Sequence, residues 1–198
     1  MSKQNIDDTP IDFAEEIIRD VKNSKEEGVL KCVQCGMCTS TCPAARHSDY
    51  NPREIIERVL DGDKTILEDD NIWNCFYCYT CHSVCPVGNS VCEVNQILKQ
   101  IAVSNEIGYD KLSQYLGFAD SYFTAAIGAI PEIFFEDIRR DVPGWWEFRQ
   151  NLGEIRDELH LNPPLMPSDD VIAEVSKILT ITGFKEKIEK IRKHQEDE

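Results

Sequence analysis

The sequence predicts a mostly α-helical protein folded around two cysteine-rich loops, with a helical appendage following them. Three observations carry this. Eight of the nine cysteines fall into two identical runs, Cys32, Cys35, Cys38, Cys42 and Cys75, Cys78, Cys81, Cys85, each followed at once by proline. The segments between and after the runs repeat apolar residues three and four positions apart, the period of a helix face. From Tyr109 onward there is no cysteine, yet a long apolar region and further helix openings follow.

Each run reads C-x2-C-x2-C-x3-C-P, the bacterial-type arrangement for a [4Fe–4S] cluster. Three thiolates on one short loop can wrap three irons of a cubane. The fourth iron needs a ligand from another direction, and in paired sites the fourth cysteine of each run serves the other cluster. That rule predicts one cluster on Cys32, Cys35, Cys38 and Cys85, and a second on Cys75, Cys78, Cys81 and Cys42. Pro43 and Pro86 fix φ and remove a backbone donor where the chain leaves each loop. Gly36 is expected to let the first loop approach its cluster closely. Zinc competes, because C-x2-C pairs also build structural zinc sites. It leaves unexplained the third cysteine, the fourth at x3 and the proline, all present twice. A disulfide framework fits less well: the cysteine count is odd, and the polar start MSKQNIDDTP predicts no secretory leader.

Composition excludes several classes. The chain has 198 residues, enough for one domain or a small domain with an appendage. Its formal net charge is −15, and each oxidised cluster with four thiolates adds about −2. Such a surface repels nucleic acid and anionic membranes and favours partners with basic patches. The most apolar run, Tyr122 to Phe135, is too short to span a bilayer and is broken by Pro131. A reducing cytoplasm is the expected compartment, since exposed clusters and a spare thiol survive best there.

The elements follow in order. Thr9 and Pro10 predict an N-cap and a proline at N1, and Ala14, Ile17, Ile18 and Val21 carry the helix to about Lys22, with Gly28 at its exit. Between the runs, Asn51 caps, Pro52 sits at N1 and Glu54 at N3 can bond back to the cap. Ile55, Ile56, Val59 and Leu60 form the buried stripe, Gly62 supplies the C′ position, and a short turn follows over Lys64 to Glu68. The insert is therefore helical, unlike the hairpins of a small β-rich ferredoxin. Trp73, Phe76, Tyr77 and Tyr79 crowd the second run, where they can exclude water or serve only as core. Ser90 to Glu93 reads as a capping box for a helix with Val94, Ile97, Leu98 and Ile101 inward. Cys92 falls at N2, on the side of Asn95, Gln96 and Lys99, and is read as an unliganded thiol rather than a redox or ligand group. His82 is read as a solvated loop histidine before a donor to a cluster sulfur.

The second half offers no chemical motif. Tyr115, Leu116, Phe118, Tyr122, Phe123, Ile127, Ile130, Ile133, Phe134 and Phe135 make the apolar region. Trp145 and Trp146, after Pro143-Gly144, open a helix to about Leu159, and Asn162-Pro163-Pro164 is a linker. Ser168, Asp169 and Asp170 begin a helix carrying Val171, Val175, Ile178 and Leu179. Gly183 interrupts it, and the charged tail from Lys185 is expected to fray. This half is either a packed appendage or a docking surface for partner subunits. No G-x-G-x-x-G fingerprint and no adjacent Cys-Cys pair occur, and no catalytic residue can be singled out.

Two complete cysteine runs, the insert opening Asn51-Pro52-Arg53-Glu54 and the helix after Pro86 resemble the α-helical ferredoxin domain. That domain occurs in succinate dehydrogenase iron–sulfur subunits, anaerobic glycerol-3-phosphate dehydrogenase small subunits and the C subunits of heterodisulfide reductase. The resemblance covers about residues 28 to 105, leaving 1–27 as an N-terminal helical segment and 106–198 as a helical docking region. Both cubane motifs are whole, no plant-type [2Fe–2S] domain precedes them, and no CCG domain follows. These features are most similar to the heterodisulfide reductase C-subunit family. The resemblance implies an electron-transfer subunit of an oxidoreductase complex. It would carry single electrons from the flavin-bearing, iron–sulfur A subunit through two [4Fe–4S] clusters. The CCG-domain B subunit would then cleave the mixed disulfide of coenzymes M and B. A hydrogenase or formate dehydrogenase would couple this to ferredoxin reduction by flavin-based bifurcation during methane formation. The iron–sulfur subunit of another oxidoreductase, such as a glycerol-3-phosphate or glycolate dehydrogenase, and a zinc-stabilised helical adaptor are the alternatives.

Overall fold

In the computed structural model, residues 10–20, 28–128, 136–161 and 167–197 are described. The chain divides into two units, Met1–Lys111 and Leu112–Glu198. Among the described residues there are helices and turns and no strand, and no helix is long and apolar enough to cross a membrane.

In the first unit, three helices pack together: α1 (Pro10–Arg19), α3 (Pro52–Leu60) and α5 (Val91–Ser104). Two four-residue helices in the cysteine loops, α2 (Met37–Ser40) and α4 (Thr80–Ser83), lie between them in sequence. The expected apolar stripes form the core. Phe13 and Ile17 of α1, Ile56 and Val59 of α3, and Val94, Ile97 and Leu98 of α5 are all buried. Each such side chain contributes about 1.5–3 kcal/mol on burial. Helix α1 stops at Arg19, short of Lys22; the Thr9 cap and Val21 lie outside the described residues.

Helix α3 starts and ends as its sequence dictates. The Asn51 side chain accepts from Glu54 N–H, and Pro52 needs no partner at the first position. At the far end Gly62 N–H donates to Val59 O and Asp63 N–H to Arg58 O, the paired bonds of a Schellman ending. Arg58 then reaches forward from the last turn. Its Nε donates to Asp63 Oδ2 at 2.7 Å and its Nη1 to Asp69 Oδ2, fastening the short turns over Lys64–Glu68 and Asp70–Asn74 to the helix. At the front end, Thr39 Oγ1 donates to Asn51 Oδ1 at 2.7 Å and accepts from Arg53 N–H at 3.1 Å. One hydroxyl thus ties the first cysteine loop to the α3 cap.

The second unit contains α7 (Leu116–Ala125), α8 (Glu136–Asp141), α9 (Pro143–Gln150), α10 (Leu152–Glu158), α11 (Asp169–Ile181) and α12 (Phe184–Asp197). The five-residue α6 (Tyr109–Ser113) bridges the boundary in sequence. Helices α7, α11 and α12 pack together through a stacked Phe123–Phe184 pair and an Arg192–Asp120 ion pair at 2.8 Å. The helix expected from Trp145 to Leu159 is two, broken at Asn151. The tail does not fray: α12 runs to Asp197 and buries Ile188 and Ile191, whose spacing of three puts them on one face. Ile130, Ile133, Phe134, Phe135 and the Asn162-Pro163-Pro164 linker lie outside the described residues.

Gly108 supplies a test of packing in the first unit. Its φ is +76°, and a Cβ there would stand 2.3 Å from the Trp73 ring. Left-handed strain and overpacking together are expected to cost about 2–4 kcal/mol in Gly108→Ala. The apparent melting temperature of the anaerobic protein should fall by several degrees; an unchanged value would show that Trp73 can move aside freely.

Candidate functional site

The two cysteine loops share one backbone course. In the first, Gln34 and Gly36 have φ of 54° and 78°; in the second, the matching Tyr77 and Tyr79 have φ of 58° and 59°. After each second left-handed residue comes a single helical turn. Thr39 and Ser40 N–H donate to Gly36 O, and His82 and Ser83 N–H donate to Tyr79 O. Cys42 N–H then donates to Thr39 O, and Cys85 N–H to His82 O. Two left-handed residues per loop turn the chain so that cysteines spaced x2 and x2 face one side. The added Cβ of an alanine at Gly36 would meet nothing within 4 Å. Gly36 is therefore required by its left-handed backbone, not by the close approach expected from the sequence.

Two cavities lie against these loops. Cys32, Cys35, Cys38 and Cys85 line one, with Arg53, Asn89 and Pro86 among its walls. Cys42, Cys75, Cys78 and Cys81 line the other, with Tyr50, Phe76, Tyr77, Thr80 and Cys92. Cys81 borders both, so the cavities are neighbours. No carboxylate or imidazole lines either one. Among the described residues, no three His, Cys, Asp or Glu side chains stand close enough to hold a single metal ion. The thiols instead surround a space, and an all-sulfur set of this kind fits an iron–sulfur group.

Comparison with known proteins places the chain. Residues 28–89 match the model of the 4Fe-4S dicluster domain. The chain is 34% identical to the C subunit of ferredoxin:CoB-CoM heterodisulfide reductase of Methanosarcina acetivorans, over 88% of this chain and 70% of that one. It is 29% identical to the C subunit of H2:CoB-CoM heterodisulfide,ferredoxin reductase of Methanothermobacter marburgensis, over 92% and 86%. It is 39% identical to the C2 subunit of H2/formate:CoB-CoM heterodisulfide,ferredoxin reductase of Methanococcus maripaludis, where it spans about half of that relative (51%). The chain belongs to the heterodisulfide reductase C-subunit family. It carries a [4Fe–4S] domain.

In this member of the heterodisulfide reductase family, α5 is the wall behind the second loop, and sequence reasoning placed part of it wrongly. Cys92, expected on a polar side away from the core, is 2% exposed and faces the second cavity. The capping box does not form. Ser90 makes no side-chain cap bond; its hydroxyl lies 3.3 Å from Cys92 Sγ. Two turns of the same face complete the wall. Asn95, fully buried, donates to Ile72 O at 2.6 Å, and Lys99 donates to Cys75 O at 3.0 Å. The Lys99 ammonium also sits over the Tyr77 ring, 4.8 Å from its centroid. Positions 92, 95 and 99 form a stripe at helical spacing, and that periodicity was the available signal.

The aromatic residues divide. Phe76 and Tyr77 line the second cavity, Trp73 packs on the core, and both Phe76 and Tyr79 are exposed. His82 makes no bond to sulfur, and its Nδ1 is enclosed without a hydrogen-bond partner. Burial pushes the Tyr50 phenol far above its ordinary range, with the thiols of Cys75, Cys42 and Cys81 adding to the effect. Burial also raises Cys75 and Cys38. Among the thiols Cys81 is raised most, because it donates its proton to the Cys92 side chain, with burial adding to the effect. Cys38, Cys75 and Cys81 thus hold their protons, and a positive metal would take the place of those protons on binding.

The left-handed requirement makes a prediction that separates backbone from space. Gly36→Ala should cost about 1 kcal/mol despite the free room, while Gly36→Asn should cost less, because asparagine tolerates this region. Thermal midpoints of the iron-loaded variants check the order. Equal midpoints for both variants and the parent would contradict a left-handed constraint at this position.

Proposed function

We propose that this chain is the electron-transfer subunit of a heterodisulfide reductase complex, holding two [4Fe–4S] centres. One is held by Cys32, Cys35, Cys38 and Cys85, the other by Cys75, Cys78, Cys81 and Cys42. The carrying observation is the lining of the two cavities: each has the first three thiols of one loop and the last thiol of the other, with Cys81 also bordering the first cavity and Cys92 the second. When bound, each centre supplies reversible one-electron transfer. The chain's own residues do the rest. The eight sulfurs hold, the left-handed turns aim, and Tyr50, Phe76 and Tyr77 cover the second site. Neighbouring cavities with Cys81 between them suit a short electron path. No residue of this chain is assigned a catalytic role.

In this reading the chain takes single electrons from the flavin-bearing A subunit. It passes them to the CCG-domain B subunit, which reduces the CoB–CoM heterodisulfide. Electron entry from hydrogen, formate or ferredoxin lies further upstream, with a hydrogenase or formate dehydrogenase as the indirect partner. The region 106–198 serves as the docking surface. Trp145, Phe148, Leu159, Ile178 and Ile181 are exposed there, and partner subunits would cover them. A cytoplasmic location accords with reduced thiols and oxygen-sensitive centres.

Iron and sulfide analysis of paired variants tests the exchange of the fourth cysteine. The parent should hold about eight irons, four per cubane. Cys42→Ser with Cys78→Ser should strip one centre only and leave about four irons. Cys42→Ser with Cys35→Ser should strip both. The reverse pattern would mean that each loop keeps its own four cysteines. Colourless protein with bound zinc would point to a structural adaptor.

A further inference from the structure

The loops repeat each other in backbone, but the groups around their sulfurs do not repeat. At the second site three hydrogen-bonding side chains stand beside three of the thiols. Tyr50 is buried, and its hydroxyl hydrogen-bonds Cys75 Sγ. Thr80 Oγ1 lies 3.4 Å from Cys78 Sγ. Cys92 Sγ faces Cys81 Sγ. Lys99 adds a cation that reaches the Cys75 carbonyl at 3.0 Å.

The first site has fewer such groups. The residue matching Thr80 is Met37, which has no hydrogen to donate. Thr39 stands beside Cys38, but its hydroxyl hydrogen goes to Asn51 Oδ1 at 2.7 Å. The site's other donors are backbone: Asn89 N–H reaches Cys85 Sγ at 3.2 Å, and Thr39 N–H stands beside Cys38 Sγ. Arg53 lines the cavity but is exposed, so water screens its charge. Solvent exposure, the other lever on potential, is nearly matched. In each loop the second cysteine is exposed and its neighbours are half-buried; the difference is that Cys42 is buried where Cys85 is half-buried. That difference, and the aromatic cover, would slightly favour the less charged, oxidised form at the second site. With a cluster in place the thiol protons are displaced, so Tyr50, Thr80 and Cys92 can turn their own hydrogens to the sulfurs of Cys75, Cys78 and Cys81; these three and a half-buried cation oppose it and outweigh it. Reduction puts extra negative charge on sulfur, and a hydrogen-bond donor to that sulfur stabilises the reduced form.

We propose that Tyr50, Thr80 and Cys92 hold the second centre at the more positive potential of the two, so that an electron runs from the first centre to the second. With both centres bound, the one electron lost by the first would be the one gained by the second, with no bond made or broken. The three residues act through the cluster sulfurs and are positioning residues. This inference rests on the ligand sets proposed above.

The test is an anaerobic redox titration of the full chain followed by EPR, for the parent and for Tyr50→Phe and Thr80→Val, with iron counted in each. Two separate midpoints are expected. In each variant the more positive one should move to lower potential while the other stays and the iron content is unchanged. Coincident midpoints in the parent, a more positive midpoint that does not move, or a shift confined to the lower one would overturn the proposal. The iron count separates the two readings. A parent with two centres and unmoved midpoints overturns this inference alone; a parent that cannot hold two centres overturns the ligand sets and this inference together.

Discussion

A seven-residue loop that turns three thiols toward one space must bend to the left twice, and the first unit is built around meeting that requirement two times. Left-handed backbone costs about 1–2 kcal/mol at a residue with a Cβ. The first loop avoids part of it with Gly36, but Gln34 bears it, and the second loop bears it at both Tyr77 and Tyr79. Loops strained in this way do not hold their course alone. Each is therefore followed by one helical turn whose amides close on the left-handed residue, and each loop is anchored to a longer helix. Thr39 fastens the first to the α3 cap, while from α5 Lys99 bonds the Cys75 carbonyl at the start of the second loop and Asn95 the Ile72 carbonyl just ahead of it.

Anchoring explains why the scaffold is helical. The last cysteine of each run lies one short turn beyond the loop, next to the opposite cavity. That placement needs the two loops held side by side, and α3 and α5 hold them through opposite ends of one core. Helix α3 supplies its N-terminus to the first loop and, through Arg58, its C-terminus to the turns that lead into the second. The insert between the runs is thus a brace for both loops. Arg58 is only one-fifth exposed and pairs with two aspartates, so its contribution is less screened than that of a surface ion pair.

Much of this was legible in the residues. The cysteine spacing gave the loops, and Asn51, Pro52 and Gly62 gave both ends of α3, because caps and Schellman endings are local chemistry. What was not legible depended on which neighbour a face meets. Cys92, Asn95 and Lys99 look like the wet side of α5 because their side chains are polar; Cys92 and Asn95 are buried and Lys99 half-buried because the second loop and the turn before it cover them with carbonyls and thiols to bond. Ser90 looks like a cap and instead turns its hydroxyl to Cys92. The tail of α12 looks too charged to hold, yet two isoleucines on one face suffice to seat it. In each case a tertiary contact overrode a local preference.

Symmetry and its breaking have different physical origins in this chain. The repeat is kept in the backbone, where geometry leaves little choice, and it is broken among the side chains that surround the sulfurs. Two centres with identical surroundings would share an electron equally and give it no direction. Direction requires an energy difference, and charges exposed to water, Arg53 at the first cavity among them, are screened. Short-range donors escape that screening. Tyr50 comes from the segment between the loops, Thr80 from the second loop and Cys92 from α5, so all three elements meet at one cavity. On the proposal above, side chains that touch only the sulfurs would set the course of an electron through this chain.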